Sequence, residues 1–102
     1  MNFLEKLREA VRQGKVLIRK HADERAGSRK ISFSSVLEVV LEGEVIEDYP
    51  DAQPFHACLL MKRVGDEPLY AVCSFDGEYC YIITVHWIDP KKWHDPWTRR
   101  KL

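Results

Sequence analysis

No run in this 102-residue chain approaches the roughly 20 consecutive apolar residues that a membrane-spanning helix takes, so no helical span is expected. Cysteine is scarce: Cys58, Cys73 and Cys80 contain no C-x-x-C spacing. Their odd number argues against a secreted disulfide framework, and their spacing argues against zinc. Net charge is absent too, with 16 basic residues against 16 acidic. A general nucleic-acid binder draws its affinity from excess positive charge, so any such contact here has to be local. Five Gly and five Pro among 45% hydrophobic residues exclude a disordered or collagen-like chain. The chain also lacks a phosphate-cradling Gly-rich loop, a G-x-S-x-G, an H-E-x-x-H and a two-metal carboxylate cluster. Neither cofactor nor metal is expected, and any hydrolysis has to be metal-independent. Met1 to Lys15 alternate charge with apolar residues, unlike a secretory signal, which points to a cytoplasmic protein without membrane contact.

What is present is a segregation of charge. Residues 1–30 carry nine basic and four acidic groups, residues 31–60 six acidic and no Lys or Arg, and residues 90–102 five basic and one acidic. Both ends are basic around an acidic middle. Either the ends fold against the middle and neutralise it, or they form a local basic patch for an anionic partner.

Periodicity supplies the elements. Phe3, Leu4, Leu7, Ala10 and Val11 share one helical face, with Asn2 and Glu5 as a loose capping box and Gly14 as a stop. Val16-Leu17-Ile18 reads as a short strand. His21 to Ala26 reads as a two-turn helix ended by Gly27, and Ser32 caps a helix with the stripe Phe33, Val36, Leu37, Val40 and Leu41. Strands follow at Val45 to Tyr49, His56 to Lys62, Leu69 to Ser74 and Glu78 to Trp87. The last two form a hairpin around Asp76-Gly77. A two-residue turn there sets Cys73 opposite Cys80, close enough for oxidation unless both are simply core residues. Pro90 and Pro96 leave room only for a short helix in the tail. The order predicts one α+β domain: N-terminal helices on one face of a mostly antiparallel, strongly twisted sheet of four to five strands. Its parts are an N-terminal helix over 1–15, a core over 16–88 and a basic aromatic tail over 89–102.

Two clusters carry possible chemistry. In H-A-D-E-R, His21 and Arg25 stand four apart on one helical face, followed by Arg29. An imidazole can move a proton at neutral pH and a guanidinium can grip a phosphate, so the pair suits phosphodiester chemistry; a capping His and a surface Arg would look the same. The second cluster, His86-Trp87 through Lys92-Trp93 and Trp97 to Arg99 and Arg100, interleaves rings with cations as single-stranded nucleic acid requires. The same Trp residues could instead pack the tail onto the sheet. His86 ends a strand and is a candidate catalytic residue, and His56 could equally lie at a sheet rim. Glu44 and Asp48 are expected on one face of their strand and Glu47 on the other, which argues against a shared metal.

H-A-D-E-R with Arg29 and Ile31-Ser32 resembles the opening H-A-x-x-R…R-x-I-S of the bacterial domain of unknown function 4258. Leu41 to Pro50, Ile82-Ile83-Thr84-Val85, Asp89-Pro90-x-x-Trp93 and Arg99-x-Lys101 look like its later landmarks, so the resemblance spans about residues 16–101. Members of that family look similar to small RelE- and MqsR-type toxins, α+β ribonucleases that act without metal and are encoded beside an antitoxin. The resemblance implies a RelE-like fold and attack of a ribose 2′-hydroxyl on the neighbouring phosphate. His21 is then the acid or base, Arg25 and Arg29 the phosphate clamp, and Lys92, Arg99 and Arg100 supporting cations. The chain departs from the pattern where it has Leu69-Tyr70-Ala71-Val72 in place of a Leu-His-Val-Val setting, and His86 where a Tyr is common. Two readings follow: a toxin-like ribonuclease restrained by an antitoxin, or a non-catalytic module of the same fold that binds a protein or forms a homodimer. A third, a thiol sensor, rests on Cys73 and Cys80.

Overall fold

The computed structural model describes residues 2–99, so Arg100 and the last two residues of the tail lie outside the described residues. Asn2 starts the fold: its side-chain oxygen accepts the Glu5 amide at 2.8 Å, satisfying a donor that the first helical turn leaves unpaired. Helix α1 (Phe3–Arg12) follows and buries Leu7, Ala10 and Val11. After strand β1 (Val16–Ile18), helix α2 (Lys20–Ser28) buries Ala22 and Ala26. Ser32 then caps helix α3 (Phe33–Glu42) by accepting the Ser35 amide at 3.0 Å. The C-terminal carbonyls of α3 are satisfied from α1, where Arg8 donates to Val40 O at 2.9 Å and to Gly43 O at 2.5 Å. That cation at a helix C-terminus also complements the helix dipole.

Strands β2 (Glu44–Tyr49), β3 (Ala57–Val64), β4 (Glu67–Phe75) and β5 (Cys80–Trp87) pair antiparallel in turn, and β1 joins β5 in parallel. The sheet order is β1-β5-β4-β3-β2. The class is α+β, with three helices and a five-stranded mixed sheet among the described residues. One core lies between the helices and one sheet face, around Leu7, Ala22, Val36, Leu60, Cys73 and Ile82. A smaller one on the opposite face joins Leu59, Met61, Tyr70 and Trp93.

Four local expectations differ from what forms. Helix α2 runs through Gly27 and ends in a Schellman motif: Ile31 N bonds Ala26 O at 2.8 Å and Lys30 N bonds Gly27 O at 3.3 Å, with Lys30 left-handed at φ 57°. The β4–β5 connection is a four-residue loop rather than a two-residue turn, because Asp76 accepts the amides of Glu78 and Tyr79 and Phe75 pairs with Cys80. In register Cys73 therefore stands opposite Cys58 and Ile82 rather than Cys80, although the Cys73 and Cys80 thiols still meet in a hydrogen bond. An extra residue in β2 between Val45 and Glu47 resets the strand's alternation, so Glu44 pairs with Met61 and Glu47 with Leu59 on one face while Asp48 pairs with Cys58 on the other. Finally, the tail forms a hairpin of β6 (Trp93–Asp95) and β7 (Thr98–Arg99) instead of a short helix.

The acidic middle is partly paired from within. Lys62 meets Glu38 at 2.7 Å and Glu42 at 3.8 Å, His56 meets Asp48 at 2.5 Å, and Arg99 meets Glu47 at 2.9 Å. Only one of these partners comes from a chain end. His56 is no free rim residue, since its ring also stacks on Phe3 with centroids 3.6 Å apart.

Candidate phosphate-binding cavity

Strand β1 covers only Cys80 to Ile82 of β5, and the Arg19 amide closes that ladder on Ile82 O at 2.9 Å. Beyond Ile82 the space beside β5 is taken by α2. Its inward residues are the small Ala22 and Ala26, which let the helix come close to the strand. Arg25 and Arg29 then project past the β5 edge, and the Schellman turn fixes the Arg29 backbone, whose carbonyl accepts the Trp87 indole N–H at 3.5 Å. From the other side, an Asp89 turn (Lys91 N to Asp89 Oδ1, 2.9 Å) brings Lys92 to the rim.

Together these residues enclose a cavity of about 250 Å³ whose wall includes Arg25, Arg29, His86, Lys92 and Arg99. The fold thus brings five of the seven candidate residues to one concave surface. His21 is exposed one turn before Arg25 and does not line it, and Arg100 lies outside the described residues. Arg25, Arg29 and Lys92 make no ion pair with a described residue. Among the described residues, no three His, Cys, Asp or Glu side chains group as metal ligands.

Arg99 is held differently. Its guanidinium grips Glu47 with two bonds, at 3.1 and 2.9 Å, and lies 4.7 Å from the centre of the Trp93 ring. The Tyr49 hydroxyl donates to the same carboxylate. The Arg99 bond holds the Glu47 carboxyl below its ordinary range, while burial and the Glu47 contact push the Tyr49 phenol up to about 12. Glu47 and Trp93 are the members of this site that motif reading passed over or left open. Their only sequence signal was a lone acid in a strand and a ring beside cations.

His86 sits at the back of the cavity, across β4–β5 from Tyr70, whose ring stacks on it and on Trp93. Burial first, and then the charges of Arg29, Arg99, Lys92 and Arg25, lower its pKa to about 4. The imidazole is therefore neutral at pH 7, with an open acceptor nitrogen or donor N–H according to its tautomer. Tyr70 is buried, its hydroxyl donates to Pro96 O at 2.6 Å, and burial raises its pKa to about 12.

The three thiols offer no second centre. All are buried; Cys58 is pushed up to about 12 by burial, and Cys73 is pushed up by its hydrogen bond with Cys80 and by burial. Raised in this way, Cys58 and Cys73 stay protonated and poorly reactive.

The family model that matches this chain, a domain of unknown function (DUF4258), covers residues 18–87. Arg25, Arg29 and His86 fall within it, whereas Lys92, Trp93 and Arg99 come from beyond it. Comparison with curated proteins and with solved structures finds no match. No helix among the described residues is long and apolar enough to cross a membrane.

Proposed function

The chain belongs to the DUF4258 family, and from the cavity built by its family region and its tail we propose that it is a metal-independent, toxin-like ribonuclease. The observation that carries this reading is one neutral imidazole, His86, enclosed with Arg25, Arg29, Lys92 and Arg99. A phosphodiester of RNA meets the chemical demands of such a site. Its non-bridging oxygens suit the guanidinium forks of Arg25 and Arg29, which also stabilise the second negative charge that develops as the phosphorus becomes five-coordinate.

In this scheme His86 accepts the proton of the ribose 2′-hydroxyl as that oxygen attacks the adjacent phosphorus. The bond from phosphorus to the 5′-oxygen breaks, and the Lys92 ammonium supplies the proton that this oxygen takes up. The products are a 2′,3′-cyclic phosphate and a 5′-hydroxyl. The role assigned to His21 by resemblance passes to His86, because His21 does not reach the cavity wall. A bound phosphate partly cancels the cationic field, so the imidazolium formed during the reaction is less disfavoured than in the free site. Lys92, exposed at the rim, also makes the mouth a natural target for an acidic segment of an antitoxin.

Cleavage of single-stranded RNA in chelator-containing buffer tests the reading. The expected result is cleavage by the wild type, reduced at least a hundredfold in Arg25→Ala/Arg29→Ala with the fold retained. Intact RNA with measurable RNA or protein binding supports the non-catalytic module instead.

A further inference from the structure

The hairpin that delivers Arg99 to the cavity also presents a ring to solvent on its other side. Asp95 Oδ1 accepts the amides of Trp97 at 2.9 Å and Thr98 at 2.8 Å, closing the turn and turning the indole outward. Trp97 is 51% exposed, against 2% for Trp93 in the same hairpin. Phe33 and Phe55 are also exposed, at 45% and 39%, but Trp97 is the most open ring of the three. It borders a second cavity of about 260 Å³, floored by Met61 and flanked by Arg63, Lys62, Glu42 and Glu44.

The charges of this cavity are not those of a phosphate site. Lys62 is engaged by Glu38 and Glu42, and Arg63 donates to Asp66 O at 3.2 Å. Glu44 has no cationic partner among the described residues. An indole face, an apolar floor and an unpaired carboxylate together suit a neutral aromatic ring that carries hydrogen-bond donors. Glu44, Met61, Tyr70 and His86 are successive cross-strand partners, so the two cavities open on one sheet face with three strand spacings, roughly 15 Å, between Glu44 and His86, a span of a few nucleotides.

We propose that the Trp97 cavity binds a base of the same strand a few nucleotides from the phosphate held by the cationic cavity, and that Glu44 selects bases bearing an exocyclic amino group over uracil. This rests on the reading of that cavity as a phosphodiester site. Stacking on an exposed ring is tolerant of sequence, whereas a carboxylate accepts from the amino groups of cytosine, adenine or guanine. Uracil offers it one N–H between two carbonyl oxygens, which the carboxylate repels.

The test is fluorescence anisotropy with labelled hexanucleotides of C, A and U at fixed salt, alongside inorganic phosphate followed by the His86 ring resonances. The wild type is expected to bind the C and A hexamers about tenfold more tightly than the U hexamer. Trp97→Ala weakens the C and A hexamers about tenfold, Trp97→Phe restores most of that, and Glu44→Ala reduces the discrimination to below about threefold. Phosphate perturbs His86 equally in all these proteins, which also shows that they are folded. Equal binding of the three hexamers by the wild type, or unchanged binding by Trp97→Ala while Arg29→Ala weakens it, overturns the inference and leaves the phosphate site standing. No binding of any hexamer and no response of His86 to phosphate overturn both.

Discussion

The imidazole of His86 and the phenol ring of Tyr70 lie parallel within 4°, with ring centres 5.1 Å apart. The stack fixes the His86 ring, and the Tyr70 hydroxyl is itself anchored on Pro96. A half-buried, stacked and neutral imidazole beside four cations is the central feature of this molecule.

That feature makes stability pH-dependent with a definite sign. The folded pKa of His86, about 4, lies below the ordinary value of 6.5, so between these pH values the unfolded chain binds a proton that the folded one does not. The contribution is complete above pH 6.5 and is lost as pH falls towards 4. Allowing for solvent at the cavity mouth, it is worth about 2 kcal/mol. Glu47, Asp76 and Asp95, whose carboxyls are lowered by their hydrogen bonds, titrate below their ordinary values and add their losses at still lower pH. Urea midpoints at pH 7 and pH 4.5 for the wild type and His86→Gln isolate the His86 part. The variant is expected to lose clearly less stability over this interval.

RNA affinity should depend on salt as a three-cation site dictates. Arg25, Arg29 and Lys92 have no ionic partner among the described residues, while Arg99 is already engaged by Glu47. For a single strand the slope of log K against log salt is then about −2, and Arg29→Ala reduces it by about 0.7. A slope near −5 would mean that the footprint extends well beyond this cavity. Anisotropy titrations between 50 and 300 mM salt, roughly a sixfold range, measure it.

Lys30 is the one non-Gly residue with positive φ among those described, at the Schellman position where glycine is favoured. Lys30→Gly should stabilise the protein by about 0.5 kcal/mol, the relief of the left-handed strain exceeding the extra entropy of the unfolded chain. Differential scanning calorimetry reads this as a rise in Tm.

Gly43 behaves oppositely. A Cβ there would lie 2.3 Å from Val39 O and 3.0 Å from Met61 O, both backbone atoms, where α3 passes into β2 beside β3. Gly43→Ala must displace α3 or β3 and should cost about 2–3 kcal/mol, seen as a lower denaturant midpoint with an unchanged slope. It also strains the Arg8 bond to Gly43 O.

How far the sequence could be read follows from the range of each interaction. Helices α1 and α3 were legible because Asn2 and Ser32 cap them locally and their apolar stripes need no partner to be recognised. The β4–β5 hairpin was legible, but its register was not, since Asp76 has a side chain that closes a longer loop than Asp-Gly alone implies. The parallel pairing of β1 with β5 joins residues some 64 apart and leaves no local trace. The bulge at Ile46, which puts Glu47 on the face where Arg99 arrives, was equally silent. Within the site, Arg25, Arg29, His86, Lys92 and Arg99 could be named from residue type. The exclusion of His21 could not, because it lies one turn before Arg25 on the same face, and which turn of α2 meets the cavity depends on how the helix docks on β5 through Ala22 and Ala26. The neutrality of His86 likewise required its burial against Tyr70 and the gathering of cations from α2 and the tail.

The central claim is that neutral His86 is the base for 2′-hydroxyl attack among phosphate-holding cations. The most direct measurement is mass spectrometry of the 3′ ends produced from a single-stranded RNA in excess chelator, by the wild type and by His86→Ala across pH 3.5 to 8. The account requires 2′,3′-cyclic phosphate ends, a hundredfold or greater slowing in the variant, and a wild-type kcat/KM that is level at neutral pH and falls only near pH 4. Ends bearing a 3′-hydroxyl, or cleavage by His86→Ala at the wild-type rate, would contradict it.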